Sequence, residues 1–288
     1  MARSGSKPAD ADGGRKRKPK LGQNFLTDHS AAQRIVDALG DISQRVVIEI
    51  GTGRGMLTDL LVRRARKVIG IELDHILAAQ MRMRYATLKN VEILESDFVT
   101  VEWQSMVGRR PGPLHDLRPT QPETVDIVGN LPYYVTSDIV LRILQEHQSI
   151  GRAVIMVQRE VADRIVAEPG SRDYGLLSAT VQLFARVEKL FTLPPGAFDP
   201  PPQVHSSVIR MTMAPRAAEL QIEADPFLDL LKLAFGQKRK TLANNLKARY
   251  GEKAVGVALK AAGVRTDARA EALPLGKMAD IFHALEQA

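Results

Sequence analysis

Residues 45–55 read RVVIEIGTGRG, a short apolar run that ends in glycines spaced G-x-G-x-G. The run is too brief for a helix and is bounded by turn residues. It therefore predicts a strand buried on both faces, as in a parallel sheet. Glycines at its end let the backbone turn sharply and leave room for a ligand to lie against it. In open α/β sheets that ligand sits at the carboxyl edge of the strands. The dinucleotide spacing G-x-G-x-x-G is not met, which fits a ligand without a pyrophosphate.

On either side the pattern alternates. MLTDLLVRRA (56–65) has helical spacing, KVIGIEL (67–73) reads as a second strand, and HILAAQMRMRYA (75–86) as a second helix. VEILESD (91–97) and TVDIVGN (124–130) are further strands, followed by a helix over 137–146, a strand at RAVIMVQ (152–158) and a helix at EVADRIVA (160–167). VEKLFTL (187–193) and SSVIRMTM (206–213) are expected to close the sheet as an antiparallel pair. Upstream, AAQRIVDAL suits an amphipathic helix capped by Ser30. Strands alternating with helices imply an α/β sandwich with a mostly parallel sheet. After Met213 only helical patterns remain, beginning at Asp225-Pro226, a capping side chain followed by a helix-starting proline. The expected division is a flexible basic arm (1–20), an α/β domain (21–214) and a small all-α domain (215–288). RRPGPLHDLRPTQPET (109–124), with four prolines and no periodicity, reads as an inserted surface loop.

Composition removes several functions. The chain has no cysteine, which excludes a disulfide, a thiolate metal site and a cysteine nucleophile. Its six histidines are scattered without metal-ligand spacing, so no metal is expected. No apolar run approaches the ~18 residues of a membrane span, and a soluble cytoplasmic protein is expected. Net charge is +7 and unevenly spread. The arm holds seven cations against Asp10 and Asp12, and Phe235 to Arg249 holds Lys238, Arg239, Lys240, Lys247 and Arg249 without an acid. Such concentrations suit a polyanion, although a solvated helix face would show the same pattern.

Chemistry-bearing residues fall at successive strand ends. Gly51 and Gly53 belong to the glycine loop. Glu72, followed by Leu73, can accept hydrogen bonds from both hydroxyls of a ribose. Asp97, followed by Phe98, can accept from an adenine amino group, although an Asp after a strand is also a common helix cap. Together they describe a pocket for an adenosine without phosphates, which S-adenosylmethionine matches. Asn130-Leu131-Pro132-Tyr133 then supplies an amide acceptor, a rigid backbone and an aromatic face. Methylation of an amino group on a base needs all three, because the exocyclic lone pair is delocalised. Accepting the N–H hydrogens localises it, and positioning does the rest. Phe198, in GAFDPPP (196–202), is either a second aromatic wall or the buried residue of a stiff connector.

These residues give a resemblance. LGQNFL (21–26), EIGTGRGMLT (49–58), IELD (71–74), SDF (96–98), NLPYYVTSDIV (130–140), MVQREVADR (156–164), FDPPPQVHSSV (198–208) and FGQKRKTLANNL (235–246) occur in the order found in the ribosomal RNA adenine N6,N6-dimethyltransferases. The chain resembles the bacterial small-subunit branch of that family. The resemblance implies a Rossmann-like methyltransferase sandwich with a seven-stranded, mostly parallel sheet. It implies that Gln23, Asn24 and Leu26 hold the methionine end of S-adenosylmethionine, Gly51 and Gly53 line it, Glu72 and Leu73 bind its ribose side, and Asp97 and Phe98 its adenine. Asn130, Leu131 and Tyr133 would engage the target base with Phe198 opposite. The basic residues 238–249 would form a helix that contacts RNA. The implied partner is 16S rRNA in an immature 30S subunit, dimethylated at two adjacent adenosines of a hairpin loop near its 3′ end by a monomeric enzyme. The sequence departs from the family in the long 109–124 segment, in Lys238 where arginine is usual, and in Tyr134 where asparagine is commoner. Related enzymes that modify large-subunit RNA share the motifs, and a non-catalytic assembly factor could retain the fold.

Deleting residues 1–20 should weaken RNA binding and flatten its salt dependence, since each phosphate contact contributes a slope of about −0.9 on duplex and less on single strands. Fluorescence anisotropy across a salt series checks this, and an unchanged slope would show that the arm touches no phosphate.

Overall fold

A computed structural model describes residues 23–103 and 124–287. The basic arm, and all of the 109–124 segment except Thr124, lie outside the described residues. The strands are β1 (Phe25–Leu26), β2 (Val46–Ile50), β3 (Lys67–Glu72), β4 (Val91–Glu95), β5 (Val125–Asn130), β6 (Ile150–Gln158), β7 (Ala185–Leu193), β8 (Phe198–Asp199) and β9 (Ser206–Met213). Seven form one sheet in the order β4-β3-β2-β5-β6-β9-β7, and β1 pairs with β8 in a separate ribbon. Strands β4 to β6 run parallel, with Ile48 opposite both Ile69 and Ile127. β9 is antiparallel to both β6 and β7, between which it lies.

The helices are α1 (His29–Asp37), α2 (Thr58–Leu61), α3 (His75–Arg84), α4 (Thr136–Gln145), α5 (Arg159–Val166), α6 (Leu176–Phe184), α7 (Ala224–Ala234), α8 (Leu242–Tyr250), α9 (Glu252–Ala261) and α10 (Leu275–Glu286). Parallel strands require covered faces, and two apolar clusters supply the cover. One joins Val47, Val68, Val128 and Val154 to Ile35 of α1, Leu39 just after it, Leu61 of α2 and the β1/β8 ribbon. The other joins Ile48, Ile69, Ile127 and Ile155 to α4, α5 and α6 and continues without a break into Phe227, Leu246, Leu259 and Phe282 of the last four helices. Among the described residues no helix is long and apolar enough to cross a membrane.

Several local expectations change. Asp28, not Ser30, caps α1, its carboxylate accepting from Ala31 N at 3.0 Å. The helix expected over 56–65 is regular only at Thr58–Leu61. α7 starts one residue before Asp225, which falls in its first turn instead of capping it. Lys238, Arg239 and Lys240 occupy the turn before α8, so only Lys247 and Arg249 of the expected basic helix are helical. Helix α6 was not legible at all, because LLSATVQLF has no polar face: Ser178, Ala179, Thr180, Val181, Leu183 and Phe184 are all buried.

At the amino edge of the sheet the fully buried Asp126 is gripped by Arg45, whose Nη2 and Nε donate to Oδ1 and Oδ2 at 3.0 and 3.1 Å, with Arg152 Nε at 3.5 Å. Both arginines keep about a third of their side chains in solvent, so this is a half-hydrated network. Asp126→Ala should lower the unfolding free energy by about 2–3 kcal/mol, less than a fully buried pair would lose. Urea denaturation measures it, and ligand affinity should not change, because the site lies at the opposite edge.

Candidate active site

The carboxyl ends of β2 to β5 and the segment Gln23–Phe25 surround one cavity. Gly51 (φ +74°) and Gly53 (φ +52°) turn the chain out of β2 in the left-handed region, and a Cβ on Gly53 would stand 3.1 Å from the Phe25 ring. The loop thus packs directly beneath the N-terminal ribbon. Arg54 completes that junction, its guanidinium 4.4 Å above the Phe25 ring and its Nη1 3.1 Å from Asp199 Oδ2.

Glu72, at the end of β3, is only 4% exposed. Its Oε2 accepts from Gly53 N at 2.8 Å and its Oε1 from Asp74 N at 3.0 Å. The carboxylate is thereby fixed in orientation with acceptor capacity left over. Asp97 lines the same cavity, and its Oδ1 accepts from Val99 N at 2.9 Å. The turn-capping role and the ligand-facing role therefore coexist in that side chain. Leu73, half exposed, and Phe98, buried, add apolar walls.

The NLPY stretch closes the cavity. Asn130 Nδ2 donates to the Asn24 carbonyl at 2.8 Å, and since that carbonyl can only accept, the amide orientation is fixed with Oδ1 turned away from it. Leu131 N donates to Met156 O at 3.0 Å, and Thr136 Oγ1 to Pro132 O at 3.0 Å. Tyr133 shares a 2.7 Å hydrogen bond with Ser206 Oγ.

Gln23, Asn24, Gly51, Gly53, Glu72, Leu73, Asp97, Phe98, Asn130, Leu131 and Tyr133 are thus brought together as the sequence anticipated. Two residues are not. Leu26 and Phe198 are 6% and 4% exposed, pack into the cluster beneath the β1/β8 ribbon, and do not line the cavity. Pairing of Leu26 with Phe198 across the ribbon draws both side chains inward. Sequence reasoning missed Phe25, Tyr134 and Ile139, which do line it, Tyr134 with 60% of its surface exposed. Tyr134 and Ile139 lie just after NLPY, and that proximity was the available signal. Lys238, Arg239 and Lys240 in the turn before α8, and Lys247 and Arg249 on α8, are exposed, and Lys238 Nζ donates to Arg172 O at 3.0 Å.

Among the described residues, the cavity is lined by two acids and no lysine, arginine or histidine. Such a lining repels phosphate and favours a neutral or cationic ligand. A second cleft of about 350 Å³ lies between residues 99–103 and Arg142 and Glu146, but holds none of these strand-end groups.

A sheet of this order, with one antiparallel strand near its edge and an acid-lined pocket at the ends of its parallel strands, defines a Rossmann-like methyltransferase. The comparisons narrow that class. The family model for ribosomal RNA adenine dimethylase matches residues 14–287. A ribosomal RNA small subunit methyltransferase A of Koribacter versatilis is 56% identical, with 99% of this chain and 98% of the relative covered. A protein of the same name from Acidobacterium capsulatum is 50% identical over 94% and 92%. Among solved structures, the 23S rRNA methyltransferase ErmE superposes with a TM-score of 0.67 at 27% identity over 92% of this chain and all of that one. A dimethyladenosine transferase from Plasmodium falciparum shares the fold, with a TM-score of 0.72 at 23% identity over 91% and 98%. The chain belongs to the ribosomal RNA adenine dimethylase family.

Behind the glycine loop, Glu49 is 1% exposed and accepts from Thr58 Oγ1 at 2.6 Å. Burial pushes its carboxyl up to about 8, with the negative charges of Glu72 and Asp59 adding to the shift and Thr58 opposing it. A carboxyl raised in the folded state favours folding fully below its ordinary value near 4.5 and loses that contribution as pH rises towards 8. The melting temperature should therefore fall between pH 5 and 8, and Glu49→Gln should flatten that fall. Parallel slopes for the two proteins in differential scanning calorimetry would refute the assignment.

Proposed function

We propose that this protein transfers methyl groups from S-adenosylmethionine to N6 of adenosine, twice per base, at two adjacent adenosines of a hairpin loop near the 3′ end of 16S rRNA in a late 30S assembly intermediate. The observation that carries the chemistry is the Asn130 carboxamide, which lines the cavity and is held by the bond from its nitrogen to the Asn24 carbonyl, with its oxygen turned away from that carbonyl. Target choice is supported by 56% identity to a small-subunit enzyme, against 27% to the 23S rRNA methyltransferase structure.

The residues present fit S-adenosylmethionine, since a cavity with two carboxylates and no cation suits a sulfonium and has nothing to hold a phosphate. On this reading Glu72 receives the ribose hydroxyls, Asp97 the adenine amino group, Leu73 and Phe98 the adenine faces, and Gln23 and Asn24 the methionine end. S-adenosylmethionine supplies a methyl group already activated for displacement. The chain then has to present the nitrogen. Asn130 Oδ1 and a neighbouring backbone carbonyl accept the N6 hydrogens and turn the lone pair out of the ring plane. Tyr133 stacks on the base, a contact worth about 1–3 kcal/mol. Pro132 keeps the two in fixed relation. The methylated nitrogen is acidic and gives up its surplus proton to water. Phe198 is buried, so Tyr134 at the mouth of the cavity is the second aromatic group offered to the base. Residues 215–288, with Lys238, Arg239, Lys240, Lys247 and Arg249, bind the RNA backbone.

The test is incubation with labelled S-adenosylmethionine and undermethylated 30S particles, reading N6,N6-dimethyladenosine by mass spectrometry, with naked 23S RNA in parallel. Turnover is expected on 30S alone. Asn130→Ala should cut turnover by roughly 100-fold or more through lost positioning while leaving RNA binding nearly unchanged. Undiminished turnover in that variant would overturn the role given to Asn130.

A further inference from the structure

Ser206 has no role in the account so far, yet its hydroxyl shares a hydrogen bond with the Tyr133 hydroxyl. It is fully buried at the start of β9, with Gln158 of β6 opposite it on one side and Leu193 of β7 on the other. Two flanking strands therefore fix its position. Tyr133, by contrast, begins a short 3-10 turn outside the sheet. The 2.7 Å bond between the two hydroxyls ties that turn to the rigid sheet. Asn130 is tied separately, through Asn24, and Leu131 through Met156. The acceptor and the aromatic wall are thus held from different sides, and the bond to Ser206 fixes the ring itself, beyond what Pro132 fixes in the backbone between them.

We propose that Ser206 is a positioning residue that sets the Tyr133 ring against Asn130 and so governs how often the second methylation follows the first. The inference rests on the reading of Tyr133 as the base-stacking residue. Its physical basis is the changed substrate of the second transfer. Adenine N6 carries two hydrogens, so either face of the rotor offers one to Asn130. N6-methyladenine carries one hydrogen and one methyl, so only one rotamer puts a hydrogen on the acceptor. A ring free to tilt admits more unproductive poses, and the second step loses more of its productive fraction than the first. Displacements of about 1 Å are enough for such losses. Burial raises the Tyr133 hydroxyl above its usual range, so it stays protonated and the bond persists across the working pH range. The segment 198–208 then contributes to the site through Ser206, not through the buried Phe198.

The experiment compares wild type, Ser206→Ala, Tyr133→Phe and the double variant on undermethylated 30S particles, reading kcat/KM for the particle, the ratio of mono- to dimethyladenosine, S-adenosylhomocysteine affinity and melting temperature. Loss of one net hydrogen bond corresponds to about a fivefold effect. Ser206→Ala is expected to lower kcat/KM roughly five- to tenfold and to raise the monomethyl fraction by about threefold or more, with S-adenosylhomocysteine affinity within about twofold of wild type. Tyr133→Phe should do the same, and the double variant should be no worse than either, because it removes both ends of one bond. The inference is overturned if the product ratio and kcat/KM of Ser206→Ala stay within about twofold of wild type even though its melting temperature falls, since the bond would then be only structural. It is also overturned if the two losses multiply in the double variant. An inactive wild type would instead sink the proposed function, and this inference with it.

Discussion

A carboxylate buried at the end of a strand is expensive unless its lone pairs are met. Glu72 is such a group, and the way it is satisfied shapes the whole carboxyl edge. Its donors are the backbone of the glycine loop after β2 and the backbone that opens α3. Two consecutive strand-end loops are therefore bound to one side chain. That only works if Gly53 adopts a positive φ, and this conformation in turn lets Phe25 lie against the loop. From Phe25 the constraint passes along β1 to the Asn24 carbonyl and so to Asn130. The Glu72 wall and the Asn130 wall of the cavity thus share a continuous set of contacts that starts at one acid.

Much of this was legible because strand ends are decided by local sequence. The glycine spacing, Glu72, Asp97 and NLPY each fall one step beyond an apolar run, and the parallel order of the sheet then brings them to one edge. Residues whose burial is decided by pairing at long range were not legible. Leu26 and Phe198 lie far apart in the chain, and only the β1/β8 pairing turns both inward. Helix α6 escaped for a related reason. Buried on nearly every side, it has no polar face to reveal its period. The Ser30 and Asp225 assignments failed more locally, since each lies one or two residues inside a helix that a neighbouring residue begins.

The C-terminal helices follow the same logic. Their composition marks them as an all-helical region, and the described residues from Ala224 onward form helices without a strand. Their apolar faces, however, join the cluster that covers the sheet, through α6 and the contact of Tyr174 with Phe235. Exposed cations on these helices are therefore carried by elements packed onto the catalytic sheet, and not by a loosely tethered appendage.

The hydrogen bond from Asn130 to Asn24 has a further meaning for base selection. One N–H of the amide is committed to the Asn24 carbonyl, which orients the carboxamide with its oxygen turned away from that carbonyl. A purine with a keto group at the corresponding position, such as guanine or hypoxanthine, would bring lone pairs against lone pairs. Rejection of a wrong base that leaves buried polar groups unpaired is far stronger than rejection by size. On the proposed reading of Asn130 as the acceptor for the target nitrogen, that oxygen would favour an amino group over a keto group at the same atom.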